Sequence, residues 1–180
     1  MLEGEIMKVL VTAFKPFNNL DINYSMEVLK YIENVDKIIL DVIYDDCYLE
    51  LTKSKNLDEY DLIIALGEAR SREELTLELR AQNISSCSLK DNKGILKQNE
   101  IINKNQKEYL ETKVKVEKIK DEIKLSYDAG KFVCNNLYFH LLENHIDNSL
   151  FIHIPNCYEN EVEYKKYAKI INKIISILIN

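Results

Sequence analysis

The chain has 180 residues, 46% hydrophobic and 30% charged, which suits one globular domain with a substantial core and is short for two. A formal net charge of -6 argues against a phosphate-backbone partner, so nucleic acid is not expected. Only 4 glycines occur and none form a glycine-rich stretch, which excludes a Rossmann or P-loop cradle. No apolar run nears the ~20 residues of a membrane-spanning helix, so no membrane contact is expected.

The first six residues are acidic and mixed, unlike a secretory signal. Residues 1–6 are expected to be a short extension before the first strand, and the protein is expected in the cytoplasm. Its 4 cysteines, Cys47, Cys87, Cys134 and Cys157, form no close zinc-type pair, and the histidines are His140, His145 and His153. No metal is expected, and a reducing compartment keeps these thiols free.

Lys8–Ala13 is a branched apolar run that predicts a buried strand, followed by a loop broken by Pro16 and Asn18-Asn19. Tyr24–Glu33 has helical spacing with Ser25 as a candidate cap, and Lys37–Ile43 predicts a second strand. Asp45–Lys53 predicts a helix with an acidic start. Asp61–Gly67 is apolar on both faces, as a sheet covered on each side demands.

Leu75–Arg80 alternates strictly, which predicts a fourth strand with Glu78 turned away from the leucines. Asn83–Lys107 is a polar excursion with a turn at Asp91–Gly94. Val114–Ile123 predicts a short helix, Ile123–Ser126 a short strand and Ala129–Asn144 a helix. Ser149–Ile154 predicts the last strand, and Glu161–Leu178 a long amphipathic helix. Strands and helices alternate, so the fold class is α/β: a single domain over residues 1–180 with helices on both faces of a central sheet.

Three side chains stand out. Gly130 lets the chain turn into a helix with Cys134 in its first turns, where free N–H groups and partial positive charge lower a thiol pKa and receive an oxyanion. The plain alternative is a small buried cysteine. His153 interrupts an apolar strand near its carboxyl end, where α/β sites gather; a satisfied core histidine is the alternative. Glu78 can face a cleft, or simply pair with Arg72 or Arg80. Together they offer a nucleophile, a base and an orienting carboxylate. His140 and His145 fall on a helix-surface pattern and are expected to be solvated.

Four segments in order carry a resemblance: Val11–Phe17, Leu77–Asn83, Ser126–Asn135 and Phe151–Pro155. They resemble the N-terminal strand with its aromatic loop, the glutamate segment, the nucleophile segment and the histidine strand of type I pyroglutamyl peptidases, also called pyrrolidone carboxyl peptidases. The resemblance runs from Lys8 to the C-terminal helix.

It implies a three-layer α/β/α domain with a mixed sheet, similar to the purine nucleoside phosphorylase type, often as a homotetramer, with no metal or organic cofactor. It implies Cys134 as nucleophile, His153 as base and acid, and Glu78 as the carboxylate that orients His153. Phe14, Phe17, Phe132 and Val133 would line a pyrrolidone slot, with backbone near Glu68 on the lactam amide. The substrates implied are peptides with an N-terminal pyroglutamate.

Departures occur at Ala13 and Asn18-Asn19, where the family has glycines, and at Tyr24, where it has proline. Arg70-Ser71 replaces two glycines, and Cys87-Ser88 replaces an Ala-Arg pair. They leave open a related cysteine amidase with a changed substrate, or a non-catalytic homologue that binds a ligand or partner.

Overall fold

The computed structural model describes residues 7–180, so the expected N-terminal extension lies outside the described residues. The chain runs β1 (Val9–Phe14), α1 (Tyr24–Leu29), β2 (Asp36–Leu40), α2 (Asp46–Ser54), β3 (Leu62–Glu68), β4 (Thr76–Glu78), β5 (Arg80–Gln82), β6 (Tyr109–Glu111), β7 (Lys124–Ser126), α3 (Val133–Asn144), β8 (Ser149–Ile154) and α4 (Glu161–Leu178). Six strands form one sheet in the order β2-β1-β3-β8-β4-β7, and β5 with β6 forms a small two-stranded sheet.

The branched apolar runs become the inner strands because both of their faces are covered. Along β1, Val9, Val11 and Ala13 join a core with α1 and α4, while Leu10 and Phe14 join a second core with α2 and α3. The period of two along a strand thus produces three layers. The sheet is mixed: β1, β2, β3 and β8 are parallel, whereas β4 runs antiparallel to β8. No helix among the described residues is long and apolar enough to cross a membrane.

Several expectations need correction. The first helix stops at Leu29, and its cap is Asn23, whose side chain accepts from the Ser25 N–H. The alternating run Leu75–Arg80 is two strands. Leu79 donates to Ser126 O (2.7 Å) and accepts from Thr112 N (3.0 Å), handing the chain from the large sheet to the small one. Of the helix expected over Val114–Ile123, only a 3-10 turn at Val116–Lys118 forms. Val114, Val116, Ile119 and Ile123 still reach the core, so their spacing is met by turns.

His140 is not solvated. Its Nε2 lies 3.1 Å from Asp45 Oδ1, its Nδ1 lies 3.0 Å from Glu143 Oε2, and its ring stacks on Tyr48. His145 is likewise largely covered. Burial opposes a charge on His140, but the hydrogen bonds to Asp45 and Glu143 outweigh it and raise its pKa. A raised folded pKa stabilises the native state below the unfolded value of about 6.5, and that contribution is lost as pH rises through the folded value. Urea unfolding across neutral pH should therefore show stability falling as pH rises, and His140→Gln should flatten that slope. An unchanged slope in the variant would contradict the assignment.

Candidate active site

The carboxyl ends of β1, β3 and β8 face the same way, and a cavity of about 270 Å³ opens above them. Its walls include Phe14, Phe17, Glu68, Arg72, Phe132, Val133, Cys134 and His153. Every sequence-proposed residue except Glu78 therefore lines one pocket, and Glu78 touches it through His153.

Local chemistry places the thiol. Gly130 has φ +76°, and its N–H is held by Asp128 Oδ1 (3.0 Å). This turn delivers the chain into α3, where Cys134 is the second residue. Phe132 caps the helix without a side-chain hydrogen bond, so the cap residue leaves the first-turn amides uncovered. Gly67 supplies the clearance: a Cβ there would stand 2.6 Å from Cys134 Sγ and 2.7 Å from the Phe151 ring. Gly67 also lies beside His153 in the β3–β8 register.

The β4–β8 pairing places the acid. Thr76 lies opposite His153 and Glu78 opposite Phe151, a diagonal that a long side chain can span. Glu78 Oε1 is 2.7 Å from His153 Nδ1 and 2.6 Å from Arg72 Nη2, with the carboxylate fully buried. Glu78 Oε2 has no partner, while Tyr138 donates from its hydroxyl to Glu78 O (2.9 Å). With Nδ1 engaged, Nε2 is the ring nitrogen of His153 left for chemistry.

One expectation about the thiol is overturned. Burial pushes Cys134 up to about 12, and the carboxylates of Glu68 and Glu78 add to the rise. Its own backbone N–H and Arg72 pull the other way but are outweighed. Burial and the two carboxylates thus outweigh the pull of the helix start on this thiol.

The apolar side of the cavity is aromatic. Phe17 and Phe132 have ring centroids 5.8 Å apart, and Tyr44 meets Phe132 edge-on at 5.5 Å. Asn18 and Asn19 keep the turn after Phe17 at φ +54° and +57°, a left-handed region that asparagine tolerates better than most residues. The Glu68 carboxylate is spoken for: it accepts from Tyr24 N (2.7 Å) and Arg70 Nε (2.7 Å). The Ala69 N–H donates to Ile154 O (2.8 Å), so it is not free to read a ligand. Ser88 is exposed and does not line the cavity.

Sequence reasoning gave no site role to Gly67, Arg72 or Asn23. Gly67 carried a usable signal, because a glycine inside a strand often marks a close approach. Arg72 was legible only as a possible ion-pair partner of Glu78.

With this geometry in hand, comparison with known proteins is decisive. A family model described as pyroglutamyl peptidase matches residues 7–173. The chain belongs to the pyroglutamyl peptidase family. Among curated relatives, it is 32% identical over 167 residues to the pyrrolidone-carboxylate peptidase of Brachyspira hyodysenteriae, covering 83% of each chain. It is 30% identical over 177 residues to that of Thermosipho melanesiensis, covering 88% of each. The crystal structure of Bacillus amyloliquefaciens pyroglutamyl peptidase I shares the fold with a TM-score of 0.85 at 24% identity, over 97% of this chain and 98% of that one. Family membership thus agrees with the architecture and with the mixed sheet.

Proposed function

We propose that this pyroglutamyl peptidase family member removes N-terminal pyroglutamate from peptides through Cys134, His153 and Glu78. The observation that carries the reading is that the Cys134 thiol and the His153–Glu78 pair open on one aromatic-walled cavity.

The pyrrolidone ring is flat and uncharged, so the aromatic wall formed by Phe17 and Phe132 suits it without a counter-ion. As Cys134 Sγ attacks the pyroglutamyl carbonyl, His153 Nε2 takes the thiol proton, in keeping with a thiol whose pKa burial raises. The oxyanion is received by uncapped amides at the start of α3. The tetrahedral intermediate collapses, the C–N bond breaks, and His153 gives its proton to the leaving amine. Water, deprotonated by His153, then attacks the thioester and releases pyroglutamate and the free thiol. Glu78 holds the Nδ1–H of His153 and stabilises the imidazolium in both steps.

The same reading places the protein in the cytoplasm as a homo-oligomer. Its test is release of aminomethylcoumarin from pyroglutamyl, prolyl and glutaminyl amides under reducing conditions. Cleavage of the pyroglutamyl amide alone is expected. No cleavage, or equal cleavage of the prolyl amide, would overturn the substrate assignment.

A further inference from the structure

Behind the aromatic wall lies a charged contact that the reaction itself does not use. The Glu68 side chain is 2% exposed at the end of β3, a costly place for a carboxylate without partners. It has two. Oε2 accepts from the Tyr24 backbone N–H at the start of α1, and Oε1 accepts from Arg70 Nε, both at 2.7 Å. The Arg70 guanidinium also lies over the Tyr24 ring at 4.3 Å and donates to Ile22 O at 3.3 Å. Tyr24 and Arg70 are two of the positions where the chain departs from the family pattern, and here they touch.

The next hydrogen bonds lead into the cavity. Asn23, one of its lining residues, donates from Nδ2 to Lys15 O (3.1 Å), and Ser25 Oγ accepts from the Phe14 N–H (3.1 Å). Asn23 Oδ1 binds Ser25 N (3.0 Å) and Ser25 Oγ (2.7 Å), fastening the two together. Phe14 and Phe17, which flank Lys15 and Pro16, are walls of the slot. The position of the first turn of α1 thus sets the position of the aromatic loop.

We propose that Glu68 and Arg70 clasp the first turn of α1 and thereby hold the aromatic loop in place, making Arg70 a positioning residue for substrate binding. The proposal rests on the peptidase reading above. Arg70 touches no reacting atom in that scheme, and it acts through Glu68 and Tyr24. Its loss loosens the slot in the ground state and the transition state alike, which raises KM and spares kcat.

The test compares wild type, Arg70→Ala and Arg70→Lys by amide hydrogen exchange and by kinetics on the pyroglutamyl coumarin amide. Arg70→Ala is expected to speed exchange at the Tyr24 and Phe14 amides, with β8 amides unchanged. KM should rise by roughly fivefold to tenfold while kcat stays within about twofold. Arg70→Lys keeps a cation beside the buried carboxylate and should recover part of both effects. Unchanged exchange at both amides with unchanged KM would overturn the clasp, as would a loss confined to kcat. If Arg70→Ala does not fold, Arg70→Lys decides by the same two readouts. A wild type that hydrolyses nothing would overturn the peptidase reading instead, and exchange alone would then decide whether the clasp holds the loop.

Discussion

Cys134→Ala is expected to lower kcat for a pyroglutamyl amide by on the order of a millionfold with the fold intact. The side chain lines the cavity and makes no hydrogen bond to another residue, so its truncation leaves the α3 start and the cavity walls in place. His153→Ala is expected to cost about as much, and the double variant little more, because nucleophile and base act as one unit. Glu78→Gln should cost on the order of ten-thousandfold, through the wrong imidazole tautomer. It also weakens the 2.6 Å pair with Arg72, so a thermal melt must accompany the kinetics. Additive losses in the double variant would contradict a shared mechanism.

The second large effect is expected at a residue with no side chain. Gly67→Ala would place a Cβ 2.6 Å from Cys134 Sγ and 2.7 and 2.9 Å from atoms of the Phe151 ring. Phe151 is fully buried, packs against Tyr138 at 5.6 Å, and meets the His153 ring at 4.9 Å. It has little room to yield, so Sγ, the backbone or the His153 ring must shift. A misplacement near 1 Å can cost about a hundredfold in rate, and overpacking a core typically costs about 1–3 kcal/mol. The expected result is therefore a fall in kcat/KM of roughly a hundredfold with a moderately lowered melting temperature. Gly94→Ala is the control: its Cβ meets nothing within 4 Å, though φ is +79°, so it should lose a little stability and no activity. Equal activity for wild type and Gly67→Ala would show that the close approach to Cys134 has no catalytic consequence.

The parts of this molecule that were legible in the sequence are those where one local pattern decides the outcome. Val9–Phe14, Leu62–Glu68 and Ser149–Ile154 are apolar on both faces because they are the central strands, and Glu161–Leu178 is amphipathic because it covers one face of the sheet. His153 stood out because it breaks an apolar strand and Cys134 because it follows the turn at Gly130, whereas Phe14, Phe17 and Phe132 came from the family resemblance alone.

What was hidden depends on tertiary partners. Nothing local marks the switch of Leu79 between sheets, since an alternating run looks alike whether one strand or two. The spacing of Val114–Ile123 fits a helix, yet the core takes those side chains from turns. His140 has the sequence neighbourhood of a solvated residue, and the approach of Asp45, 95 positions away, together with stacking on Tyr48 removes it from solvent. The thiol follows the same rule. The helix start was visible in the chain, but the burial and the two carboxylates that outweigh it were not. Asn18 and Asn19, by contrast, hold a left-handed backbone that asparagine tolerates better than most residues.

The most direct measurement is the intact and peptide-resolved mass of the protein after acid quench during turnover of a pyroglutamyl ester or amide. The mechanism proposed here predicts a pyroglutamyl adduct, labile to hydroxylamine, on the peptide carrying Cys134 and absent in Cys134→Ala. Turnover with no adduct, or an adduct on Cys47, Cys87 or Cys157, would contradict it.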